Sequence, residues 1–78
     1  MVCLINPENL YLAVDFNTNT PVSLTNNKEN AYVFPEPTEI DMQLDEIRSC
    51  LIRNTADYKN IDKMLELTDA EYKVEVIA

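Results

Sequence analysis

The chain has 78 residues, 46% of them hydrophobic, which sets one domain with a single modest core. Fourteen Asp and Glu against six Lys and Arg give a net charge of −8 and a pI near 4.2, which argues against nucleic acid or an anionic membrane as a direct partner, since either needs a basic stripe. Histidine and glycine are both absent, so Cys/His metal sites, Ser-His or Cys-His nucleophile pairs and glycine-rich phosphate loops fall away.

With no glycine, asparagine is expected to serve the turns, because it tolerates positive φ and bonds its own backbone. Residues 2–5 form a short apolar run that ends in the turn signal Asn6-Pro7-Glu8-Asn9. Residues 10–16 resume as a strand with Leu10, Leu12, Val14 and Phe16 on one face. After Asn17-Thr18-Asn19-Thr20, Pro21 starts a third strand over residues 22–25, its missing N–H fitting a strand start or an edge. A polar loop over residues 26–30 leads to a fourth strand, Ala31-Tyr32-Val33-Phe34, rich in β formers.

Pro35-Glu36-Pro37 then stiffens the entry to a helix. Thr38 is the expected N-cap, with Asp41 three residues on as an approximate capping box. Ile40, Leu44, Ile47 and Leu51 recur at steps of four, three and four and stack on one side, while Glu39, Asp41, Asp45, Glu46 and Arg48 fall on the others. Asn54 is an acceptable C-cap. Thr55 reads as a second N-cap, and Tyr58, Ile61 and Leu65 extend a second helix to about Glu66. Residues 68–71 form a polar connection. The closing strand, residues 72–77, should bury Tyr72, Val74 and Val76, in the centre of the sheet or beside the first strand. The order β-β-β-β-α-α-β predicts one α+β domain over residues 1–78, a small antiparallel sheet with helices packed on one face.

The Tyr11-Leu12 strand, a polar hairpin turn, Val22-Ser23-Leu24-Thr25 and Ala31-Tyr32-Val33-Phe34 before an acidic helix resemble many small phage-encoded accessory proteins. The resemblance covers roughly the first half of the chain. Asn and Leu stand where that loose group commonly has a hairpin Gly and a Trp before the Thr. It implies an accessory protein of a phage or mobile element, a class rich in host-directed inhibitors, and transfers no catalytic residue. No apolar run approaches the roughly 20 residues of a membrane span, and residues 1–5 are too short for a signal-peptide core. A cytoplasmic protein is expected, in the host cell if phage-encoded. Cys3 and Cys50 both sit in apolar patterns and read as reduced, buried thiols, a disulfide being the alternative.

Paired carboxylates such as Asp41 and Asp45 could in principle bind a cation or act as acid and base. Their apolar neighbours face the core, so the acids should be solvated; no enzyme activity, cofactor or metal is expected. The acids form two groups: Glu36, Glu39, Asp41, Asp45 and Glu46, then Asp62, Glu66, Asp69, Glu71 and Glu75. First-turn acids complement the helix dipole, and charge runs usually confer solubility. Acids one helical turn apart also lie roughly 6 Å from each other, close to phosphate spacing along a strand. Such a surface would fit the basic groove of a host nucleic-acid-handling protein and inhibit it. The expected partner-binding residues are Glu36, Glu39, Asp41, Asp45, Glu46, Asp62 and Glu66, with Tyr11 and Tyr32 as interface aromatics. Tyr58 and Tyr72, in phase with apolar neighbours, are assigned to core packing. The alternative is a structural or assembly module that forms a homodimer through the second sheet face around Tyr11, with acidity serving solubility alone.

Overall fold

The computed structural model describes residues 1–77. Strands β1 (Val2–Ile5), β2 (Tyr11–Val14) and β3 (Val22–Thr25) are followed by helices α1 (Ile40–Arg53) and α2 (Ile61–Asp69) and by β4 (Lys73–Val76). All strand pairs are antiparallel, in the order β3-β2-β1-β4. The protein is thus a small α+β fold with the two helices laid on one face of a four-stranded sheet.

Register explains which face is covered. Leu4 is paired with Val74, Leu12 with Leu24 and Val14 with Val22, so these side chains share a face. From that face Val2, Leu4, Leu12 and Val22 join Ile40, Leu44, Ile47 and Leu51 of α1 and Met64 of α2 in the core. The helical stripe read from residue spacing is therefore the buried one. Tyr58 and Tyr72 pack against the same core, and the Tyr72 hydroxyl donates to the Leu67 carbonyl at 2.6 Å.

Asparagine does replace glycine in the turns. Asn9 has φ 65° and Asn60 φ 56°, the left-handed region where Asn is among the least penalised non-glycine residues. Asn6 Oδ1 accepts from the Glu8 and Leu10 amides, both at 2.9 Å, which closes the β1–β2 turn.

Several local expectations change. Residues 31–34 are not a regular strand. β1 and β2 pair only where Ile5 meets Tyr11 and then splay apart, and this segment enters the fork. The Tyr32 amide donates to the Leu12 carbonyl at 2.8 Å, while Phe34 exchanges bonds of 2.8 and 2.9 Å with Val2. Phe34 is fully buried there. Thr38 is no cap: the chain enters α1 through a 3₁₀ turn, Pro37–Glu39, in which Pro37 removes one of the donors a cap would have to satisfy. Thr55 caps backwards, its hydroxyl donating to the Ile52 carbonyl at 2.7 Å. Left-handed Asn60 then breaks the chain, so α2 starts at Ile61 and runs through Thr68 and Asp69.

The closing strand lies at the sheet edge beside β1, where the helices cover it only in part. Val74 and Val76 are consequently 49% and 67% exposed, the reverse of the expected burial. Both cysteines are free. Among the described residues no helix is long and apolar enough to cross a membrane.

Candidate functional site

Burying Ile40, Leu44, Ile47 and Leu51 sets the rotation of α1, and the positions opposite that stripe must then face water. Asp41, Asp45 and Glu46 are all exposed and line one shallow open depression with Thr38, Met42, Ser49 and the cationic Arg53. Glu36 is exposed on the entry turn, and Glu39 is half-buried at the first position before the helix. Asp62 and Glu66 are exposed on α2 and flank a separate depression beside Lys63.

The two acid groups meet through Arg48. Arg48 donates from Nη2 to Asp45 on its own helix and from Nη1 to Asp69 at the end of α2. The same guanidinium lies 3.4 Å from the Thr68 carbonyl. The Asp45 side chain remains 69% exposed and that of Asp69 72%, so the clip is a surface one. It neutralises part of the charge at Asp45 and leaves Asp41, Glu46, Asp62 and Glu66 without a salt bridge among the described residues. The Asp45–Arg48 spacing was a readable signal; nothing in the sequence marks Asp69 as the second partner.

The two tyrosines expected at an interface lie apart from these acids. Tyr32 is half-buried at the sheet–helix junction. Its hydroxyl donates to Gln43 Oε1 at 3.0 Å and its ring meets Phe34 edge-on with centroids 4.9 Å apart. Tyr11 is on the opposite sheet face, also half-buried. There the Lys28–Asn30 turn packs against β2, and Lys28 Nζ stands 3.3 Å from Glu75 Oε2. A hydrogen bond with the Tyr11 hydroxyl, and then Lys28, hold the Glu75 carboxyl below its usual range. The same bond pushes the Tyr11 phenol up. Beneath them burial, with Glu75 adding to it, raises the thiol of Cys3, which has no exposed surface. The second face is thus capped by a polar cluster, and Tyr11 is part of it.

What the arrangement offers chemically is an exposed row of carboxylates on α1. Among the described residues no group of three or more His, Cys, Asp or Glu is placed to hold a metal. No protein-family model, curated protein or solved structure matches the chain.

Proposed function

We propose that the protein is a small acidic binding module that docks the outward face of α1 onto the basic groove of a nucleic-acid-handling protein and blocks that groove. The observation that carries this reading is the phase of α1: four aliphatic side chains face inward, and Asp41, Asp45 and Glu46 emerge together on the side facing water. Carboxylates one turn apart sit roughly 6 Å from each other, near the repeat that a basic groove is built to receive. The net charge of −8 supplies the field that speeds such an encounter. Origin in a phage or mobile element, with a host protein as target, is the setting the resemblance of the first half of the chain implies.

The test is competition. Basic nucleic-acid-binding enzymes are loaded with labelled duplex DNA, and displacement by the protein is measured across a salt series. Displacement should weaken steeply as salt rises and should be lost in the triple variant Asp41→Asn, Asp45→Asn, Glu46→Gln, whose circular dichroism stays native. Displacement indifferent to both salt and the triple variant would refute the reading.

A further inference from the structure

The outer edge of β4 is the one long surface feature that acidic docking leaves unused. Its main-chain geometry follows from the register. Cys3 is opposite Glu75 and Ile5 opposite Lys73, and the Ile77 amide donates to the Met1 carbonyl at 2.9 Å. Hydrogen-bonded pairs alternate along an antiparallel ladder, so Lys73, Glu75 and Ile77 aim their N–H and C=O groups at β1. Val74 and Val76 therefore aim theirs away from the sheet. Val2, opposite Val76, bears out the alternation, because its own amide and carbonyl bond Phe34 on the far side of β1.

From these observations we infer that a second copy of this chain pairs with β4, antiparallel, about a two-fold axis at Val74. An antiparallel second copy brings its own charge complement, and among registers centred within β4 only the one at Val74 opposes unlike charges. Centred on Val74, each Lys73 faces Glu75 of the other copy, twice by symmetry. Centring on Glu75 would oppose two carboxylates, and centring on Lys73 two ammonium groups, either of which is unfavourable across a strand pair. In the favoured register the two Val74 residues exchange both main-chain bonds, and Val76 falls opposite Tyr72. That places Val76 of the second copy over a hollow walled mainly by the apolar side chains Leu4, Pro37, Ile40, Leu44, Tyr72 and Val74, with Asp41 also on its wall. The exposure of Val74 and Val76 on the helix side is then accounted for. Lys28 reaches the Val76 carbonyl at 3.4 Å, a contact that leaves the oxygen its second lone pair.

The other edge does not compete on these terms. Val22 of β3 is only 2% exposed, α2 stands over that strand through Asn60, Lys63 and Leu67, and β3 has no charged residue to set a register.

Sedimentation of the full chain over a concentration series up to millimolar tests the pairing, and should show a monomer–dimer equilibrium with nothing larger. Val74→Pro deletes the outward donor at the axis while sparing every β1–β4 bond, so it should remain monomeric with native circular dichroism. Lys73→Glu, at an exposed position, should raise the dimer dissociation constant about tenfold, from two symmetric cross-strand pairs. Absence of a dimer, a dimer that survives Val74→Pro, or open-ended association through β3 would overturn the inference. Should Val74→Pro fail to fold, an unchanged dissociation constant in Lys73→Glu overturns it alone.

Discussion

Leu51 and Ile52 are adjacent on α1, yet Leu51 has no exposed surface and Ile52 is 61% exposed. The pair measures the rotation of the helix, on which the outward placement of Asp41, Asp45 and Glu46 depends. Leu51→Ala removes three carbons from a site enclosed by the core and leaves a cavity, which typically costs about 3 kcal/mol. A domain of this length has roughly 4–12 kcal/mol of stability, at about 0.05–0.15 kcal/mol per residue. The substitution therefore removes a quarter or more of the total. At roughly 4–8 °C per kcal/mol for a domain of this size, the expected fall in Tm is about 12–24 °C. Ile52→Ala, by contrast, should stay within about 0.5 kcal/mol, as surface changes usually do. Urea unfolding followed by circular dichroism at 222 nm, with thermal melts of the same variants, reads both. Equal losses at the two positions, or a larger loss at Ile52, would mean that α1 is rotated from its described phase and that the acidic row does not face water.

Two further outcomes follow from the polar contacts. Arg48→Gln should cost no more than about 1 kcal/mol, because the carboxylates it clips are largely exposed and surface pairs are worth little; in a double-mutant cycle with Asp69→Asn by urea denaturation, a coupling that vanishes at high salt is expected, and a salt-independent one would refute the surface-clip description. Glu75 is held below its unfolded value, so its contribution is present above that value and is lost as pH falls through the lower folded value; Tyr11 is held above its own, so its contribution is present below pH 10, the ordinary phenol value, and is lost as pH rises through the higher folded value. Tyr11→Phe should flatten both limbs of a stability–pH profile, and an acid limb unchanged by the substitution would exclude the bond to Glu75.

The parts of the fold legible in the sequence are those decided by local periodicity. Ile40, Leu44, Ile47 and Leu51 marked the buried side of α1 because a helix repeats every 3.6 residues wherever it lies, and Asn6 and Asn9 marked a turn because their chemistry is local. What could not be read depended on distant partners. Val74 and Val76 alternate as a buried strand face does, but their cover is set by how far the helices extend over the sheet, which no residue of β4 encodes. Thr38 had the composition of a cap, yet Pro37 one position earlier started a 3₁₀ turn and left no cap to supply. For the candidate site, the solvated acids of α1 followed from the stripe opposite them. The second carboxylate on Arg48 required α2 to pack against α1 and bring Asp69 within reach, 21 residues along the chain.

The wedge of residues 31–34 between β1 and β2 bears on how the molecule assembles. Its bonds to Leu12 and Val2 complete the inner edges of two strands that barely touch each other, and Pro35-Glu36-Pro37 joins it rigidly to α1. The ladder of the first hairpin is completed only by a segment that lies a few residues before α1 in the chain. The sheet and the helices therefore share this segment, and the domain should melt as a single cooperative unit, with tyrosine fluorescence and helical ellipticity lost at the same midpoint.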